Sequence, residues 1–219
     1  MKVILFGASG MVGQGVLREC QLDAGVDTVL AVGRSAAANV SGKLRELVIP
    51  DLTQIAACAG SLQGYDACFF CLGVSAAGMS EARYSELTYD LTLTVAKVLA
   101  AQNPGMTFIY VSGAGTDSSE HGSSMWARVK GRTENALLHL PIKAAFMFRP
   151  GVIQPLHGAR SKTRSYRLFY LLAAPLLPLV RRLFPKHVTT TEQMGRAMIK
   201  LARQGGPKQV LEAADINAV

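Results

Sequence analysis

Long hydrophobic runs are absent from this chain: no stretch approaches the roughly 18 uninterrupted apolar residues that a bilayer-spanning helix needs, and no membrane span is expected. Charge is sparse as well, at 17% of residues against 49% apolar. Such a composition can bury enough surface to fold, which excludes a disordered chain. The 219 residues suffice for one sizeable core, so one domain with a small appendage is expected. Cysteine is limited to Cys20, Cys58, Cys68 and Cys71. These supply a single C-x-x-C, whereas zinc sites usually need a second pair or histidines nearby. Cys68-Phe-Phe-Cys71 lies inside an apolar, strand-like run, so buried thiols are expected and no metal. A secretory leader is not apparent, since one Lys and a four-residue apolar run lead straight into a glycine turn. The expected compartment is therefore cytoplasmic, with reduced thiols. No internal repeat of solenoid length is apparent.

Acidic residues are missing from one segment in particular. Residues 149–187 hold eight Lys/Arg and no Asp or Glu, while the remainder holds fifteen of each sign. The net charge of +8 thus arises from one segment, which calls for an anionic partner or surface. Its aromatics, Tyr166, Phe169 and Tyr170, are embedded in an apolar stretch with no recognised RNA or DNA module, so nucleic acid is not the expected partner.

What is present is concentrated in the opening stretch. Val3 to Phe6 is an apolar run bounded at once by glycine, the pattern of a buried parallel strand. Gly7, Gly10 and Gly13 follow at G-x-x-G-x-x-G spacing, and Val12, Val16 and Leu17 begin a helical apolar stripe. In a strand–turn–helix of this kind the first glycine makes the turn. The second admits a pyrophosphate to the backbone, and the third lets helix pack on strand. Free N–H groups at the helix start, around Ser9, Met11 and Val12, then face the phosphates. Dinucleotide binding is expected. The next strand, Thr28–Val32, ends in Gly33-Arg34-Ser35 with no acid nearby. An acid there would bind the ribose 2′-hydroxyl of NAD, whereas Arg accommodates the 2′-phosphate, so NADP(H) is expected over NAD(H).

Further strands are expected at 44–49, 66–72, 107–111 and 144–148, with helices at about 12–23, 80–101 and 125–138. A short strand is expected at 209–213. Strands alternating with helices define an α/β fold, a doubly wound parallel sheet of Rossmann-like type. The dinucleotide core spans 1–151, and 152–219 forms a C-terminal substrate-side appendage on the same domain. Ligands of open parallel sheets sit at the carboxyl ends of the strands. Asp51 and Leu52 fall where an adenine edge is met, although Asp51 equally suits a helix cap. Cys71, Leu72 and Gly73, and the Pro150-Gly151 turn, fall on the cofactor side. The stretch 157–187, basic around an apolar run broken by two prolines, suits a substrate lid, a protein contact or an anionic membrane surface.

Gly7-Ala-Ser-Gly-Met-Val-Gly13, Val32-Gly-Arg-Ser35, Tyr110-Val-Ser-Gly-Ala-Gly115, the Arg149-Pro-Gly turn and the Thr189–Met198 helix together resemble the atypical short-chain dehydrogenase/reductases. Within them, the chain is most similar to the small epimerase-like or Tat-interacting-protein-like NAD(P)H-binding oxidoreductases. The resemblance implies a catalytic serine at Ser112 and a Tyr-x-x-x-Lys whose lysine is Lys130. Four residues before Lys130, however, stands Trp126. An indole N–H is a donor that does not ionise, so it cannot deliver and recover a proton as a phenol does. His121, Tyr84 and Tyr89 are the available replacements. The expected function is an NADP(H)-binding oxidoreductase, a carbonyl reductase or epimerase of a small substrate, with a non-standard centre. The alternative is an NADPH-sensing binding protein.

Overall fold

Why the apolar runs become strands is visible in how they pair. In a computed structural model, which describes residues 1–35, 42–161 and 177–219, Val3–Phe6 of β1 (Lys2–Phe6) is fully buried. Such a strand needs neighbours on both edges and layers on both faces. It pairs in parallel with β2 (Thr28–Gly33) on one side and β4 (Ala67–Phe70) on the other. β3 (Leu44–Val48), β5 (Thr107–Val111), β6 (Ala144–Arg149) and β9 (Val210–Glu212) complete a seven-stranded sheet of order β3-β2-β1-β4-β5-β6-β9. All its pairs are parallel. A second, two-stranded parallel sheet joins β7 (Val152–Gln154) and β8 (Val188–Thr190).

The helices cover both faces. On one, α1 (Met11–Leu22) packs against α6 (Thr191–Gln204), with Val16, Cys20, Met194 and Met198 fully buried. The two backbones come close because glycines face each other's helix: a Cβ at Gly15 would fall 2.5 Å from Thr191 Cβ, and one at Gly195 would fall 2.8 Å from Glu19 Cβ. Buried Glu19 is neutralised by Arg18 at 2.5 Å and Arg196 at 3.2 Å. The other face carries a 3-10 helix (Leu52–Leu62), α3 (Leu91–Gln102) and α4 (Met125–Leu138). α5 (Leu177–Leu183) leads into β8, and α7 (Ala213–Ala218) closes the chain.

The helix anticipated over 80–101 is present, running from α2 (Glu81–Ser85) through a π-helical turn (Glu86–Asp90) into α3 without a break in helical backbone. Leu87, Thr88, Leu91 and Thr92, spaced i, i+1, i+4 and i+5, line one cavity. Residues after 151 also contribute to the main sheet and its covering layer. β9 extends the main sheet beside β6, and α6 forms one of its covering layers. Of the basic stretch 157–187, residues 162–176 lie outside the described residues.

Candidate functional site

The cofactor end of the site is built from glycine geometry. Gly7 sits at φ 78, the left-handed region, where a Cβ would also fall 2.7 Å from the Cys71 carbonyl oxygen. A Cβ at Gly13 would fall 2.0 Å from the Gly7 oxygen, so the first turn of α1 rests directly on the turn after β1. Gly10 is the N-cap, with no side chain bonded to the helix start. The N–H groups of Met11, Val12 and Gly13 thus belong to the open first turn of a 12-residue helix, at its positive end. From there a cleft of about 490 Å³ runs past Ser9 and Leu72 to Leu52, Arg34 and Ser35. Glycine cradle, open helix start and terminal arginine suit a dinucleotide. Glu46 of β3 also lines this cleft, an acid that the pattern around β2 did not bring to notice.

The chemical end lies at the carboxyl edges of β4, β5 and β6. The Ser112 N–H donates to Phe148 O at 2.7 Å, and the Ala114 N–H to Pro150 O at 2.9 Å, which ties the loop after β5 to the Arg149-Pro150-Gly151 turn. The Ser112 and Thr116 hydroxyl oxygens are 2.8 Å apart, and Thr116 donates to Gly113 O at 2.8 Å. Because the one Thr116 proton is used there, Ser112 is the donor in the hydroxyl pair and retains lone pairs on the site side. Trp126, on the first turn of α4, lays its ring edge on this loop; a Cβ at Gly115 would meet Trp126 Cη2 at 3.6 Å.

One helical turn later Lys130 holds its ammonium over the Tyr110 ring, 5.5 Å from the centroid. Its i+4 neighbour Glu134 would be the natural partner. That carboxylate is instead taken by Arg149, whose Nε lies 3.1 Å from both oxygens and whose Nη2 lies at 2.5 Å. Among the described residues Lys130 has no ion pair. Burial lowers its pKa to about 8, against a weaker upward pull from Glu134. It borders a cavity of about 10 Å³, close to the size that holds one water, together with Gly73, Tyr84, Thr88 and Tyr110. Burial pushes both phenols upward, Tyr84 despite its bond to Thr88. Lys130 is therefore the group bordering this cavity that titrates nearest neutral pH.

Other expected site residues are placed differently. The Asp51 carboxylate caps the 3-10 helix, accepting from Thr53 N at 3.0 Å and Thr53 Oγ1 at 2.7 Å, and it does not line the cleft. The capping alternative therefore accounts for it, and Leu52 faces the cofactor side alone. Cys71 meets Gly7 through its backbone, and burial raises its thiol pKa. Gly151 makes a close approach to His187 O in the small sheet. His121 is exposed on its loop, and Tyr89 lies under the Arg132 guanidinium at 3.8 Å, so neither borders the Lys130 cavity. Thr116 and Glu134 were missed from sequence. Only the i+4 spacing from Lys130 could have pointed to Glu134.

Comparisons with known proteins agree with this geometry. The pattern of the NAD dependent epimerase/dehydratase family matches residues 3–124. A curated relative, "Protein fmp52-1, mitochondrial" of Aspergillus terreus, is 29% identical over 168 residues, 74% of this chain and 69% of that protein. Its name overturns the expectation of a cytoplasmic compartment. Among solved structures, the Bordetella bronchiseptica enzyme WbmF in complex with NAD+ superposes at TM-score 0.67 and 17% identity, covering 99% of this chain and 76% of that one. A short chain dehydrogenase from Burkholderia cenocepacia in complex with NADP gives TM-score 0.67 at 15% identity, covering 96% and 86%. At these identities the structural likeness carries the fold. The matched segment holds the glycine turn, the end of β2 and the Ser112 loop, and the chain belongs to the NAD dependent epimerase/dehydratase family.

Proposed function

We propose that this chain is an NADP(H)-dependent oxidoreductase acting on a small carbonyl substrate, as a reductase or an epimerase, with Lys130 rather than a tyrosine as its proton-transfer group. The observation that carries the proposal is a lysine one helical turn after Trp126 that lies over the Tyr110 ring beside a water-sized cavity, has no ion pair among the described residues, and has its pKa lowered to about 8 by burial. A nicotinamide dinucleotide held by the glycine turn and Arg34 would supply or accept the hydride. Ser112, turning its proton from Thr116 to the substrate, polarises the carbonyl; Thr116 stays bonded to Gly113 O and holds the loop. The Lys130 ammonium would hold the ribose hydroxyls of that cofactor and would donate a proton to the substrate oxygen, with the water-sized cavity beside it as a route. Trp126 forms an apolar wall on the loop that carries Ser112 and keeps bulk water away.

Cofactor choice rests on Arg34 at the end of the cleft. Arg34→Ala should lower NADPH affinity about tenfold or more, a lost charge-assisted contact to phosphate, while leaving NADH affinity within about twofold. Trp126 is the only tryptophan, so quenching of its fluorescence reads both titrations. Equal losses for the two cofactors would remove the 2′-phosphate role. The mitochondrial name of the curated relative supports a mitochondrial compartment for this chain.

A second reading, contact with an anionic surface, has one observation in its favour. Leu183 and Phe184 are 62% and 56% exposed beside Arg181, Arg182 and Lys186. On this reading the protein sediments with vesicles containing anionic lipid at low salt and is released at high salt. Failure to sediment at low salt would eliminate it.

A further inference from the structure

The glycine turn is touched by a segment far from it in sequence. After β7 the chain turns back on itself through two left-handed residues, His157 at φ 53 and Gly158 at φ 80. For a histidine that conformation costs about 1–2 kcal/mol and has to be held in place. Two latches on the start of α6 hold it: Leu156 N–H donates to Thr191 Oγ1 at 3.0 Å, and His157 Nε2 lies 2.6 Å from Glu192 Oε2. A third latch is made on α1. The Gln14 side-chain amide pairs with the Arg160 backbone as one peptide group pairs with another. Its oxygen accepts from Arg160 N at 3.1 Å, and its nitrogen donates to Arg160 O at 3.0 Å. The same nitrogen donates to Ser9 O at 3.0 Å.

Gln14 thus joins three things at one point: the glycine turn, the first turn of α1, and residue 160. It also lines the cleft that begins at Ser9. A surface loop has no need of a reciprocal side-chain-to-backbone pair 146 residues away in sequence; the pair fixes where Arg160 starts. That start is held by Gln14, a residue of the first turn of α1 that lines the cleft. The Arg160 side chain is exposed, with no ion pair among the described residues.

We propose that the turn 155–161 is an arm of the cofactor site, in which the Arg160 guanidinium binds the pyrophosphate of the dinucleotide and Gln14 is the residue that positions it. The proposal rests on the dinucleotide reading above and adds a second cation to it. Arg34 meets the phosphate that distinguishes NADP from NAD, whereas Arg160 meets the phosphates that both share.

That division makes the test specific. Titrations of NADPH, NADH and adenosine 2′-monophosphate are run on the unsubstituted chain, Arg160→Ala, Arg160→Lys and Gln14→Leu, with thermal melting to check that each variant folds. Arg160→Ala is expected to weaken NADPH and NADH by the same factor, roughly tenfold or more. It should leave adenosine 2′-monophosphate, which lacks a pyrophosphate, unchanged. Arg160→Lys should recover part of the loss, since it keeps the charge without the planar fork. Gln14→Leu should reproduce the loss in smaller degree while leaving the Arg34-dependent preference intact. Unchanged NADPH and NADH affinity in Arg160→Ala would overturn the arm. So would a loss confined to NADPH, or one shared by adenosine 2′-monophosphate. If the unsubstituted chain binds neither dinucleotide, the failure lies in the dinucleotide reading itself, and the arm falls with it.

Discussion

Trp126→Tyr is expected to raise the rate of carbonyl reduction by about 10²–10⁴-fold, the range over which a positioned acid or base accelerates proton transfer. The argument is positional. Residue 126 lies one turn before Lys130 on α4, on the face that meets the Ser112 loop, and its ring edge already lies against Gly115. A phenol placed there would gain an ionisable proton between the Ser112 hydroxyl and the Lys130 ammonium, and the ammonium would stabilise the phenolate. The smaller ring gives up part of the contact with Gly115, a loss of about 1–3 kcal/mol that thermal melting would register. Activity is followed through NADPH absorbance, since the substitution removes the only tryptophan. If cofactor binding survives and turnover does not rise, proton transfer is not what this centre lacks. Lys130 then already meets the need for a proton, and the sensor alternative, a protein that binds the dinucleotide without chemistry, takes precedence only if neither protein turns over a carbonyl substrate.

Lys130→Met is the second large effect. It should lower turnover at least 100-fold and weaken NADPH binding as well, because one ammonium serves both the ribose and the proton. The pH dependence separates the two roles. An acid must be protonated to act, and burial lowers the pKa of Lys130 to about 8 from the usual lysine range. Carbonyl reduction should therefore hold below that pH and fall as pH rises through it. Alcohol oxidation, which needs the neutral amine as base, should rise over the same interval. Lys130→Arg keeps a charge that does not titrate in this range, so it should retain much of the cofactor affinity and lose the pH limb. A limb near pH 8 that persists in Lys130→Arg would assign the titration to another group.

The glycine turn and the cleft beside it were legible in sequence because their geometry is local. Gly7, Gly10 and Gly13 sit within one strand–turn–helix, and Arg34 ends the next strand. Backbone geometry over a few residues decides what such a unit can bind. The Asp51 carboxylate shows the limit even there. It satisfied two local patterns, and only the position of the Thr53 N–H, 3.0 Å away, selects the cap. The π-helical turn at Glu86–Asp90 left no mark on the apolar spacing, since one inserted residue shifts the stripe without erasing it.

By itself, the sequence determined the order of strands and helices, the parallel sheet, the glycine cradle and the placing of Trp126 four residues before Lys130. Each follows from residues close together in the chain, where periodicity and backbone freedom operate. Tertiary structure alone decided the rest. It assigned Glu134 to Arg149 and so left Lys130 without an ion pair among the described residues, set the Ser112 hydroxyl on Thr116, and brought β9 beside β6. It also carried Arg160 to Gln14 across 146 residues. Hydrogen bonds and desolvation depend on which groups meet in space, and a linear pattern holds no record of contacts made by distant segments.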